Sequence, residues 1–175
     1  RMFGCDHFDV VPDVMVLGKT LGGGLLPAGA VVASKKIWKR TGYSFSLFAS
    51  SFAGNTLVCA VASAVLHVLE KDGIVQKCHE KGRYFYQGLK ELKQLYPGTV
   101  KQVSGKGLLL SVTTASAPTA LNVIRTLSER RILTAPAFGD PGTVMIEPPL
   151  VIEFQDIDRV LAGLEDYCKK AVCNE

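Results

Sequence analysis

Apolar and polar residues fall into distinct regimes along the chain. Pro12 to Leu17 is a Val-rich run bounded by Pro and Gly, the pattern of a short buried strand. It runs into Gly18-Lys19-Thr20 and then the cluster Gly22-Gly23-Gly24. Ala28 to Ala33, small and β-branched, predicts a second strand. Lys35 to Arg40 predicts a helical turn, and Thr41 to Ala53, rich in Ser, Gly and Phe, a loop. Asn55 is a good helix cap, and the apolar residues after it predict a helix to about Leu69. Lys71-Asp72-Gly73 breaks that helix. A longer one is predicted from about Ile74 to Tyr96, with Val75, Cys78, Tyr84, Leu89, Leu92 and Leu95 on its apolar face, and Pro97-Gly98 ends it.

The pattern then changes. Val100 to Val103, the turn Ser104-Gly105-Lys106-Gly107, and Leu108 to Val112 predict a hairpin. Pro118 to Arg130 is amphipathic, with Pro118 suited to a first helical turn. Ile132 to Thr134 and Thr143 to Ile146 predict strands around the turn Gly139-Asp140-Pro141-Gly142. Pro148-Pro149 interrupts the chain. Asp156 to Lys170 predicts a last helix, with Ile157, Val160, Leu161, Leu164 and Cys168 on one face. A glycine-rich α/β segment is thus followed by a small α+β unit.

Composition narrows the function classes. Hydrophobic residues make up 47% and charged residues 21%, which excludes a disordered tail. The net charge of +4 comes without an arginine-rich arm or a basic block, so nucleic acid is not an expected partner. The longest apolar stretch, Thr56 to Leu69, is interrupted by Ser63 and His67 and is short of the roughly 20 residues a bilayer requires. No membrane partner is expected. The five cysteines, Cys5, Cys59, Cys78, Cys168 and Cys173, are odd in number and form no CxxC. They read as reduced thiols of a cytoplasmic protein, with no metal site. The chain opens Arg1-Met2-Phe3-Gly4, which reads as an internal start of a longer polypeptide.

Two places could carry chemistry. Lys19 stands just beyond a predicted buried strand and beside small residues. Desolvation there would make its amine a nucleophile toward a carbonyl; an exposed loop lysine has the same local pattern. A phosphate-binding loop would need a glycine five residues before the Gly-Lys pair, and position 13 is Asp13. The second place is Ser50-Ser51-Phe52-Ala53-Gly54-Asn55. Two hydroxyls precede a helix start, where free amides and the helix dipole favour an anion; a plain capped loop is the alternative.

These residues resemble a family. Pro12 to Gly24, followed by Pro27-Ala28-Gly29-Ala30, is similar to the lysine segment of class III aminotransferases, such as the ornithine, acetylornithine, putrescine and 4-aminobutyrate enzymes. Ser50-Ser51-Phe52-Ala53-Gly54-Asn55-Thr56-Leu57 is similar to their S-T-[FY]-G-G-N-P-L phosphate segment. Ser104-Gly105-Lys106-Gly107-Leu108 resembles their R-G-x-G-L turn, and Glu147-Pro148-Pro149-Leu150 their late P-P-L segment. The four motifs occur in the family's order.

The resemblance implies the C-terminal part of the type I pyridoxal-phosphate transferase fold. Residues 1–75 would be the end of the large, mostly parallel-sheet domain, and residues 76–175 the small α+β domain. It implies pyridoxal 5′-phosphate as cofactor and transamination through a Lys19 Schiff base, from an amino donor to a keto acid. Lys19 would also move the proton between substrate and cofactor. Ser51 matches the phosphate-binding threonine that reaches the neighbouring subunit's cofactor in a homodimer, with Ser50 assisting through its backbone. Met145 stands where many members carry an arginine that grips a substrate carboxylate. Either an amine or ω-amino donor is therefore expected, or the register of that strand differs from the family's. Asn55-Thr56 replaces the usual Asn-Pro, and Ser104 an arginine. The family's partner for the pyridine nitrogen, its ring-stacking aromatic residue and its other phosphate segment would lie upstream of Arg1. Two other readings fit the same residues: an incomplete, non-catalytic dimerising fragment, and an aminomutase or racemase of the same fold.

Overall fold

The computed structural model describes residues 1–42 and 50–173. These form two compact units, Arg1–Val75 and Gln76–Glu175. Among the described residues, no helix is long and apolar enough to cross a membrane.

In the first unit a 3-10 helix, Gly4–Phe8, is closed by the Asp6 carboxylate, which accepts from the Phe3 N–H at 3.0 Å. Strands β1 (Val14–Leu17) and β2 (Ala30–Ala33) pair antiparallel, Val14 opposite Ala33 and Leu17 opposite Ala30. Their connection, residues 18–29, contains only a 3-10 turn and no helix to carry a parallel crossover. Nor is β1 buried: Val16 is 76% exposed and Val14 47%. A two-stranded ribbon has no second layer to cover it. Helix α1 (Lys35–Arg40) is capped by Ser34, whose hydroxyl accepts from the Ile37 N–H at 3.4 Å. Helix α2 (Thr56–Lys71) starts at the expected Asn55 cap. The loop expected over residues 41–53 lies partly, at 43–49, outside the described residues.

The second unit is a two-layer sandwich. Its antiparallel sheet has the order β3-β4-β6-β5, with β3 Val100–Lys106, β4 Leu109–Thr114, β5 Ala135–Ala137 and β6 Asp140–Ile146. Three helices cover it: α3 (Ile74–Leu95), α4 (Ala117–Glu129) and α5 (Phe154–Cys173). Each buries residues at helical spacing: Phe85, Leu89 and Leu92; Ala120, Val123 and Leu127; Ile157, Leu164 and Cys168. They meet Val100 and Val103 of β3, Leu110 and Val112 of β4, and Val144 and Ile146 of β6. Gly82 lets α3 cross against the backbone of Gly107, where any Cβ would run into the carbonyl. Burial raises the thiol of Cys168 to about 11, with the Glu165 carboxylate adding to it. Lys81, almost fully buried, pairs with Glu153 at 3.1 Å and lies 5.8 Å from the Phe154 ring centre.

Two boundaries differ from the expected ones. Strand β3 runs on to Lys106, which pairs with Leu109, so the hairpin turn is Gly107-Leu108 and not Ser104 to Gly107. Gly107 supplies the positive φ (57°) that a two-residue turn requires. Gly105 lies inside the ladder, where a side chain would strike the Leu109 carbonyl. The strand expected at Ile132 to Thr134 begins only at Ala135. Residues 131 and 132 are still closing α4. The Arg131 N–H donates to the Ser128 carbonyl and the Ile132 N–H to the Leu127 carbonyl, both at 2.9 Å, with Arg131 at φ 60°. Pro136 is accommodated because β5 is an edge strand.

Candidate active site

Lys19 opens a 3-10 turn, Lys19–Gly22, directly after β1. The turn is closed by two backbone bonds, from the Leu21 N–H to the Gly18 carbonyl at 3.1 Å and from the Gly23 N–H to the Thr20 carbonyl at 2.9 Å. Lys19 has φ 50°, in the left-handed region that lysine rarely occupies. Its side chain is exposed, and among the described residues it makes no hydrogen bond or ion pair. Lys19 is therefore, within this chain, an exposed amine on a left-handed backbone. Strain at a single non-glycine residue costs about 1–3 kcal/mol and gathers at functional sites.

Ser50 and Ser51 are both exposed and lie in the turn before α2. The Ser50 carbonyl accepts from the Ala53 N–H at 3.0 Å. The amides at the helix start are less free than the sequence suggests. Asn55 Oδ1 accepts from both Leu57 N–H (3.1 Å) and Val58 N–H (3.2 Å). An anion arriving here would meet the serine hydroxyls and the remaining amides rather than an uncapped helix end. The exposed primary amine of Lys19 suits an aldehyde, and the two serine hydroxyls, on a separate turn, suit a phosphate.

What the sequence did not disclose is how the lysine turn is supported. Gly23, at φ 61°, lies so close to α2 that a Cβ would stand 2.8 Å from Val65 Cγ2. Leu25 and Val65 also share the wall of an apolar cavity of about 290 Å³. A Gly at positive φ in a glycine cluster was the available signal; its partner was not.

Met145 belongs to the second unit. It is half-buried in β6, opposite Ser111 of β4 and Ala135 of β5, and its carbonyl accepts from the Thr134 hydroxyl. It lines a cavity of about 510 Å³ whose charged wall residues are Arg131, Glu147, Asp156 and Arg159. Asp156 and Arg159 pair with each other at 3.0 Å. Sequence alone brought neither arginine to notice.

Comparison with known proteins places these features. A family model described as aminotransferase class-III matches residues 1–168. The fold is similar to the acetylornithine aminotransferase of Elizabethkingia anophelis, with a TM-score of 0.86 and 30% identity over 97% of this chain and 44% of that one. The ornithine aminotransferase of Toxoplasma gondii gives 0.85 and 30% over 100% of this chain and 41% of its own. An S-selective transaminase of Bacillus megaterium gives 0.87 and 25% over 99% and 41%. The chain spans less than half the length of each of these proteins. With its lysine turn, its Asn55-capped helix and its four-stranded unit inside that match, the chain belongs to the class-III aminotransferases.

Proposed function

We propose that this chain carries the lysine-bearing part of a pyridoxal 5′-phosphate-dependent transaminase, one that takes its amino group from an amine or ω-amino donor and passes it to a keto acid. The observation that carries the reading is Lys19, an exposed amine at φ 50° in the strand-to-glycine turn, within a family match that extends over residues 1–168. The cofactor supplies an electron sink for the substrate's α-electrons. Lys19 supplies the point of covalent attachment and, once displaced by substrate, the amine that holds and returns the proton. Ser51, with Ser50 beside it, offers hydroxyl contact to phosphate. In the dimeric enzyme we assign that phosphate to the neighbouring subunit's cofactor.

The donor class rests on Met145. A thioether cannot form the paired hydrogen bonds by which a guanidinium holds a carboxylate, and a carboxylate buried without a cation is costly. Residues 1–75 are assigned to the end of the large domain and residues 76–175 to the small one.

A second reading has its own observation. Among the described residues of the first unit no apolar side chain is buried, as in a fragment that dimerises or docks without catalysis. Borohydride trapping separates the two. In the presence of pyridoxal phosphate the Lys19 amine adds to the aldehyde carbon, water leaves, and hydride reduces the resulting C=N bond. A pyridoxyl group on the Lys19 peptide is expected. A folded sample left unlabelled at Lys19 would favour the non-catalytic fragment. A keto-acid product assay then distinguishes transamination from an aminomutase or racemase of the same fold.

A further inference from the structure

We infer that Gly23 is a positioning residue for Lys19, acting through its contact with Val65 of α2. The inference rests on the reading of Lys19 as the attachment point. Lys19 and Gly23, at φ 50° and 61°, bracket the 3-10 turn, and the two backbone bonds that close it join residues 18, 20, 21 and 23 into one piece. Displacement at one end is therefore felt at the other.

The seam with α2 fixes that piece in place. A Cβ on Gly23 would lie 2.8 Å from Val65 Cγ2, whereas carbon atoms in contact prefer about 3.5–4.0 Å. Something must move by roughly 1 Å, and a misplacement of that size can cost about a hundredfold in rate. Val65 is β-branched and sits in a helix, where one side-chain rotamer dominates, so it cannot simply turn away. The turn is the part that yields. Gly24 provides an internal control. It is also left-handed, at φ 73°, but a Cβ there meets nothing within 4 Å. Alanine at Gly24 carries the conformational penalty alone; alanine at Gly23 carries the same penalty and the collision.

The experiment uses the complete polypeptide. Borohydride-trapped pyridoxal phosphate at Lys19 is followed with time by peptide mass, with thermal melting alongside, in wild type, Gly23→Ala, Gly24→Ala, Val65→Ala and the Gly23→Ala/Val65→Ala pair. Val65→Ala removes the colliding methyl beside space that is already open. Gly23→Ala is expected to slow labelling at Lys19 roughly ten- to hundredfold, and Gly24→Ala to leave it near wild type. The double variant is expected to return close to Val65→Ala. Labelling of the exposed Lys35 and Lys36 is expected to stay constant throughout, which shows equal reagent in every sample, while thermal melting reports any general loss of structure. Equal labelling of Gly23→Ala and Gly24→Ala overturns the inference, as does a double variant that stays slow. If Gly23→Ala does not fold, the double variant against Val65→Ala decides. Wild type unlabelled at Lys19 overturns the parent reading and this one together, so the two failures are distinct.

Discussion

The second unit buries sixteen apolar residues, all between Phe85 and Cys168, whereas among the described residues of the first unit only Gly22 is buried. Both units contain Val-rich strands and an apolar helix. The difference lies in layering. In the second, three helices cover one face of a four-stranded sheet, and each buried side chain of Val or Leu size contributes about 1.5–3 kcal/mol. In the first, a two-stranded ribbon and α2 leave Val16, Leu57 and Val68 at 76%, 62% and 45% exposure. That unit is held by backbone ladders, capped turns and close glycine contacts. Yet it carries the lysine, on a left-handed backbone, and the serines. In this chain the candidate lysine and serines lie in one unit and the core in the other, with Met145 beside that core.

The largest expected effect tests the first half of that contrast. In the complete enzyme, Lys19→Ala should lower transamination by at least the roughly 10²–10⁴-fold that a positioned proton-transfer group supplies. Its melting temperature should stay near wild type, because Lys19 contributes no buried contact. Retained activity without added amine would break the assignment. Lys19→Gly should be equally inactive but more stable by about 1 kcal/mol, since glycine accepts φ 50° without penalty. Denaturant titration of the two variants reads the difference directly.

The core half of the contrast is tested next. Phe85 is fully buried, and Phe85→Ala should destabilise the second unit by about 3–5 kcal/mol. If chemical denaturation shows a loss below 1 kcal/mol, the packing described for that unit is wrong.

A pH effect of intermediate size belongs to the same core. The thiol of Cys168 is pushed up to about 11 from its ordinary 9.0. Between those values the native state keeps a proton that the unfolded chain has lost, so the unfolded state binds fewer protons and stability falls as pH rises. The contribution is intact below about pH 9 and is lost by about pH 11, a change of roughly 2–3 kcal/mol. Cys168→Ala should reduce the slope of stability against pH in that window. The slope that remains belongs to Cys78, Tyr96 and Tyr167, raised by burial, to Tyr84, raised by its hydrogen bond to Asp158, and to Lys169, raised by its hydrogen bond to Glu165. An unchanged slope in the variant would show that Cys168 does not titrate as a buried thiol.

The smallest effect is expected at Val16. In this chain Val16→Ala should change stability by no more than about 0.5 kcal/mol, the range of exposed substitutions. A cost of 2 kcal/mol or more would mean that another layer covers β1 in solution, and would erase the contrast between the units.

The elements were readable from the sequence because local physics specifies them. Asn55 and the apolar run after it predict α2 with its cap, and Leu89 and Leu92 are read on the buried face of α3, whereas Tyr84 and Leu95, read on the same face, are exposed and Phe85 takes the core position. The motifs around Lys19, Ser51 and Pro148 were equally visible, and through them the family. Local pattern could not tell whether a Val-rich run is covered, since coverage depends on which layer lies above it. The run from Pro12 to Leu17 therefore reads as buried and is not. Local pattern also misplaced the hairpin turn by assigning both glycines to it. Only the register of Lys106 with Leu109 shows that Gly105 serves close backbone approach and Gly107 the turn. The sequence by itself determined which residue types are present and where each element can begin. The tertiary structure alone decided that Lys19 is left-handed and exposed, that Gly23 meets Val65, and that Met145 lines a cavity with Arg131. The physical reason is the same in each case: helix periods and caps act over a few residues, whereas contact, burial and backbone strain are set by parts of the chain far apart in sequence.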